Sequence, residues 1–208
     1  MAVTKGRSHD EVAALLAAGQ RDLGENRVQA YQAVANAFAE PEIRWHLVGH
    51  LQRNKVRFCH GFALLHSLDS ERLALALEAE GTKRGHVFRS LLQLNVAGET
   101  SKHGLTPHEL APLLALVRDL AHVQVEGLMT MAPFDPDPER ARPVFRALRE
   151  LALEHELEQL SMGMSGDLEV AVEEGATLVR VGTALFEPAP ILTTPAQPGS
   201  GSGSSTDT

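Results

Sequence analysis

A single cysteine, Cys59, excludes any disulfide within the chain. The fold must then rest on its hydrophobic core, which 208 residues at 43% hydrophobic content can supply without staples. Basic residues are also short. Lys and Arg number 19 against 27 Asp and Glu, a formal net charge of −8. An acidic chain of this kind argues against nucleic acid or an anionic membrane surface as a partner. No apolar run approaches the roughly 18 residues a membrane helix needs. The opening residues MAVTKGRSHD contain no apolar stretch of the secretory type. These absences are all compatible with a reducing, cytoplasmic location.

The end of the chain differs in composition from the rest. Residues 188–208 read PAPILTTPAQPGSGSGSSTDT, where spaced prolines give way to a Gly/Ser run. Such a segment buries too little apolar surface to offset its ordering entropy, so a disordered tail is expected there. The folded part is then residues 1–187. Within it, short apolar runs alternate with helical patterns. Strands are expected at 2–4, 21–24, 44–48, 64–68, 91–96, 123–129, 160–164 and 178–181. Between them, Gly19 and Gly81 read as helix stops, Asn26 as a helix cap, and 138–158 as one long amphipathic helix. Thr106-Pro107-His108-Glu109 has the pattern of a capping box with proline at the first helical position. Eight repeated βα units imply parallel strands and an α/β fold. A (β/α)8 TIM barrel accounts for that number, although a doubly wound open sheet shares the alternation.

In a barrel the chemistry lies where the strands end. Two ends are glycine-containing and bear hydroxyls: Met164-Ser165-Gly166 and Gly182-Thr183. They follow strands seven and eight, where barrels commonly hold a phosphate; read separately, each is an ordinary cap or turn. Glycine lets the backbone approach, and amides and hydroxyls donate to the anion. Ser165 is also expected to open a helix. Lys5 directly follows the first strand, which a barrel brings beside the eighth. A desolvated lysine there would be a nucleophile for a phosphorylated aldehyde, of which pyridoxal phosphate is the leading example. Arg180 stands two residues before Gly182, within reach of such a cofactor's ring nitrogen. Met129, Met131, Met162 and Met164 alternate at strand spacing and are expected to fill the barrel. His46 and His50 share one side of a strand. With no carboxylate or thiolate evident nearby, they read as packing residues rather than metal ligands.

The stretches AVTK (2–5), GQRDLGENRVQ (19–29), IRWHLVGHLQRNK (43–55), LLHSLDS (64–70), QLNVAGETSKHGL (93–105), VEGLMTMAP (125–133) and SMGMSGDLEVAVEEGATLVRVGTALF (161–186) span nearly all of the folded part. In combination they resemble the pyridoxal phosphate homeostasis proteins, the YggS/PROSC family. The resemblance implies a single-domain barrel similar to the N-terminal half of alanine racemase, with pyridoxal 5′-phosphate as cofactor. It implies that Lys5 carries the Schiff base and that Ser165, Gly182 and Thr183 bind the phosphate. It further implies that Arg180 lies by the pyridine nitrogen and that Asn26 lines the pocket. The implied role is intracellular vitamin B6 homeostasis, and indirectly amino-acid homeostasis, without a catalytic residue. Small amines, amino acids and cofactor-dependent apo-enzymes are the expected partners, and a monomer is expected ahead of a dimer.

The sequence departs from that family at three points. Members usually carry a helix before the lysine strand, whereas four residues precede Lys5. Glu187 replaces a usual glycine, and Gly6-Arg7-Ser8 replaces a Thr-Lys-Pro-like run. The barrel is therefore expected without the N-terminal helix that would cover the seam between strands eight and one. The rival enzymes are an amino-acid racemase and a Schiff-base lyase or aldolase on a phosphorylated substrate. Racemization needs a second base opposite the lysine. The one tyrosine, Tyr31, falls inside an expected helix, and the length leaves no room for a second domain.

Overall fold

The computed structural model describes residues 1–99 and 103–187. The expected tail, 188–208, lies outside the described residues. Seven strands form one sheet: β1 (Ala2–Val3), β2 (Asp22–Glu25), β3 (Arg44–Leu47), β4 (Leu64–Leu68), β5 (Phe88–Gln93), β6 (Val123–Met129) and β7 (Gln159–Ser161). They lie side by side in chain order, and every neighbouring pair is parallel. A doubly wound sheet must reverse its strand order at a switch point, so this order removes that alternative. The ring closes through residues 178–181. Val3 N–H donates to the Val181 carbonyl at 2.8 Å on one side, and Met162 N–H to the Leu178 carbonyl at 3.1 Å on the other. The expected eighth strand thus occupies its place as single bridges to β1 and β7 rather than as a ladder.

Helices follow the strands: α1 (His9–Ala17), α2 (Val28–Ala35), α3 (Glu71–Arg84), α4 (Pro107–Arg118), α5 (Arg142–Glu154), α6 (Leu168–Glu173) and α7 (Thr183–Phe186). None among the described residues is long and apolar enough to cross a membrane. The Thr106–Glu109 capping box opens α4 as its sequence requires. A second box joins Ser8 to Glu11 at α1. Three sequence expectations are corrected. Gly81 does not stop α3. The helix runs through it to Gly85, which takes the left-handed conformation at φ 64°. A Cβ at Gly81 would lie 2.3 Å from the His122 Cβ, so this glycine serves close packing. Asn26 does not cap α2, because Arg27 holds that position without a side-chain bond. The expected helix over 138–158 is split. A 3-10 turn, Pro138–Ala141, precedes α5, whose second residue Pro143 has no N–H to continue an earlier ladder.

Strand alternation divides the apolar residues between two faces. The larger core lies outside the ring under the helices and includes Leu23, Trp45, Leu65, Leu92, Leu128, Phe145 and Leu148. A smaller cluster of Leu64, Leu91 and Met129, with Leu178 and Met131 against it, fills part of the interior. Met162 belongs to the outer core, which corrects the expectation that all four methionines fill the barrel. On β7, Ser161 faces inward to a buried histidine instead.

Candidate functional site

The loops that leave the strand C-termini surround a cavity of about 780 Å³. Its lining takes in all six residues expected to bind a cofactor: Lys5, Asn26, Ser165, Arg180, Gly182 and Thr183. They arrive from three regions of the chain, and barrel closure brings the first and last together.

Lys5 stands in a turn just past β1. The Thr4 hydroxyl donates to Glu25 Oε1 at 2.6 Å, and the Thr4 amide to the Gly24 carbonyl at 2.9 Å. Arg7 N–H then closes the turn onto the Thr4 carbonyl at 3.0 Å, with Gly6 at φ 73°. This turn lifts Lys5 out of the strand into the mouth, where it lines the cavity but is exposed. The expectation of a buried lysine is corrected accordingly. Burial falls on Glu25 behind it. Among the described residues its Oε2 has no hydrogen-bond partner, and desolvation pushes the carboxyl above the usual range.

Arg180 has the opposite environment. It is buried, and its Nη1 donates to Ser161 Oγ at 2.7 Å and its Nη2 to the Thr130 carbonyl at 2.8 Å. Both partners are neutral. Among the described residues no carboxylate lies within ion-pair distance, and burial lowers the guanidinium to about 10. A buried cation with no carboxylate in contact, and only the more distant Asp167 to attract it, is costly and leaves donor capacity facing the cavity.

The loop after β7 and the first turn of α7 meet across Ser165, whose Oγ accepts from Ala184 N–H at 3.2 Å. Met164 N–H donates to Asp167 Oδ1 at 2.6 Å and tightens the same loop. Ser165 does not open a helix, since α6 begins at Leu168 with Asp167 at its cap position. Its hydroxyl instead ties the two glycine-containing turns together, next to Gly166, Gly182 and Thr183. Asn26 is placed by the loop after β3. A Cβ at Gly49 would fall 2.1 Å from the Asn26 carbonyl, so only glycine fits that approach.

Other lining residues were not recognised in the sequence. Arg7 lies over the Phe186 ring at 4.3 Å and pairs with Glu11 at 3.3 Å. Gln93 Nε2 donates to the His103 carbonyl at 3.0 Å. Both histidines of the third strand region do have a carboxylate companion, which corrects that expectation. His46 meets Asp22 inside the barrel at 3.2 Å, and His50 meets Asp69 at the mouth at 3.2 Å. The donor atoms of His50, Asp69 and His103 lie within 4.8 Å of one another. The two imidazoles, however, are stacked at 4.1 Å with planes only 15° apart, so their in-plane lone pairs do not converge on one point. Asp69 lies too far along the sequence for strand spacing to have revealed it.

Residues 1–190 match the family model for the alanine racemase N-terminal domain. A pyridoxal phosphate homeostasis protein of Aquifex aeolicus is 44% identical over 175 residues, spanning 81% of this chain and 77% of that protein. Its counterpart in Deinococcus radiodurans is 43% identical over 187 residues, spanning 89% and 87%. The solved structure of PipY from Synechococcus elongatus with PLP bound is similar at a TM-score of 0.84 and 37% identity, over 90% of this chain and 91% of that one. The chain belongs to the alanine racemase N-terminal domain family and, within it, to the pyridoxal phosphate homeostasis proteins.

Proposed function

We propose that this chain holds pyridoxal 5′-phosphate at the barrel mouth as a Schiff base on Lys5, and serves intracellular vitamin B6 homeostasis and, through it, amino-acid homeostasis. The observation that carries this reading is Arg180, a buried guanidinium whose hydrogen-bond partners among the described residues are neutral, in the lining of the same cavity as Lys5. A pyridine nitrogen offers it a lone pair and no proton. An arginine there disfavours protonation of the ring and weakens it as an electron sink. That suits holding and exchanging a cofactor better than carbanion chemistry. Ser165, Gly166, Gly182 and Thr183 would receive the phosphate, through hydroxyls and through backbone free of bulky side chains. Asn26 would line the ring's edge. The cavity leaves room beside the cofactor for a small amine or amino acid to displace the lysine.

The proposal includes a cytoplasmic monomer that passes cofactor to apo-enzymes. The racemase reading is weaker, because Tyr31 cannot serve as the second base. It packs on Phe62 and Trp45 with ring centroids 4.1 and 5.6 Å away, on the helix side of the sheet. The direct test is borohydride reduction of protein loaded with pyridoxal phosphate, followed by peptide mass spectrometry. The cofactor mass should appear on the Lys5 peptide and vanish in Lys5→Ala. Label elsewhere, or none, would overturn the assignment. Interconversion of L- and D-alanine at about 1 s⁻¹ or faster would restore the racemase.

A further inference from the structure

A line of polar side chains crosses the barrel interior beneath the cavity, and the proposed site uses only its last member. Asp22 on β2 faces His46 Nε2 at 3.2 Å. His46 Nδ1 faces His66 Nε2, from β4, at 3.0 Å. His66 Nδ1 faces Ser161 Oγ, from β7, at 2.9 Å, and Ser161 Oγ accepts from Arg180. His66 and Ser161 are wholly buried, and His46 nearly so.

The direction of each bond follows from the two charged ends. Arg44 donates to both Asp22 oxygens, at 2.6 and 2.5 Å, and holds this carboxyl below the usual range. An ionised carboxylate only accepts, so His46 must present Nε2–H to it. Burial favours the neutral ring in His46 and still more in His66. A neutral imidazole has one N–H. His46 Nδ1 therefore accepts, and His66 donates to it from Nε2. His66 Nδ1 is then the acceptor, and Ser161 must turn its O–H toward it. The Ser161 lone pairs are left for Arg180, which can only donate.

We infer that Asp22, His46, His66 and Ser161 form a positioning relay that fixes the donor direction of every link and holds the Arg180 guanidinium in the cavity floor. The Asp22–Arg44 pair at one end of the barrel thereby sets the hydrogen-bond environment of the group proposed to meet the pyridine nitrogen at the other. Its effect on a bound ring rests on the proposed function, but the relay itself does not.

The first measurement uses cofactor-free, ¹⁵N-labelled protein at neutral pH. Long-range ¹H–¹⁵N correlation should show both His46 and His66 as Nε2–H tautomers. Asp22→Asn supplies an amide that can donate as well as accept, and should admit the Nδ1–H tautomer at His46. An Nδ1–H form at either ring in the wild type, or tautomers unmoved in Asp22→Asn, would overturn the relay. The second measurement uses protein loaded with pyridoxal phosphate. His66→Leu removes the Ser161 link and should shift the visible cofactor band and weaken retention about tenfold, the scale of one lost hydrogen bond. His66→Asn offers an acceptor where Nδ1 stood and should restore both. Leu and Asn variants with the same band and retention would also count against the relay. If wild-type protein takes up no cofactor, the functional proposal fails and the tautomers alone decide the relay.

Discussion

Gly49 and Arg180 show how single positions bear on the mouth in different ways. Gly49 has no room for a side chain: its Cβ would fall 2.1 Å from the Asn26 carbonyl, 2.9 Å from its carbonyl carbon and 3.0 Å from its Cα. Gly49→Ala should therefore displace the loop after β2. Overpacking of this kind costs about 1–3 kcal/mol. A cofactor titration should show weaker binding alongside the lowered melting temperature, and unchanged binding would remove Asn26 from the pocket wall. Arg180 poses the reverse case. It is a buried cation with no carboxylate in contact and only Asp167 at longer range, so its presence is a cost that function must justify. Arg180→Gln removes the charge and leaves one amide nitrogen, on a shorter side chain, where two guanidinium nitrogens reached Ser161 and the Thr130 carbonyl. It should lower cofactor affinity at least tenfold with only a small change in melting temperature, because relief of the buried charge offsets the lost hydrogen bonds. A large fall in stability with affinity intact would identify Arg180 as merely structural. Lys5 and Arg180 were legible because strand ends are legible. The exposure of Lys5, the buried Glu25 behind it and the approach at Gly49 were not, because each depends on a turn's path rather than on a residue's own chemistry.

Among elements, α1 is the one most directly joined to the Lys5 turn, since only Gly6 and Arg7 separate Lys5 from its cap. Ser8 Oγ accepts from Glu11 N–H at 3.2 Å, and Glu11 Oε2 accepts from Ser8 N–H at 2.7 Å. Ser8→Ala removes half of this box and should cost about 1 kcal/mol. For a chain of this length that corresponds to a fall of about 2–4 °C in melting temperature, readable by calorimetry. No change would mean that packing of Val12 and Leu16 alone holds the helix. The box at Thr106 was recognised from its letters, and the same pattern at Ser8 could have been. Gly81 misled for a physical reason. A glycine that ends a helix and one that lets another chain segment pass are the same letter, and only His122 against α3 tells them apart. The eighth strand was legible in position but not in form. Residues 178–181 carry the right alternation, yet Arg180 turns inward to Ser161 and the segment makes bridges instead of a ladder.

For the whole molecule, the repeated strand–helix alternation was enough to suggest a barrel, and consecutive parallel strand order excluded the open sheet. The interior relay could not be foreseen. Residues 22, 46, 66, 161 and 180 meet only when five registers are set together. That arrangement has a consequence for global stability. His46 and His66 are both held below the ordinary imidazole value of 6.5, chiefly by burial, and His66 well below it. The unfolded chain takes up protons at these rings near 6.5, while the folded chain resists until lower pH. Their contribution to stability is therefore present in full above about 6.5 and is lost as the pH falls through the two depressed values. Each ring adds a slope of at most about 1.4 kcal/mol per pH unit. Glu25, with its carboxyl raised, has the opposite sign, so the comparison must isolate one histidine. His66→Asn does so, because it cannot titrate and keeps the contact to Ser161. Denaturant melts from pH 7 to pH 5 should show the wild type losing stability more steeply than His66→Asn, with the curves converging or crossing toward the acid end. Parallel curves would mean that His66 is as easily protonated inside the barrel as in water, and the neutral relay through it could not stand.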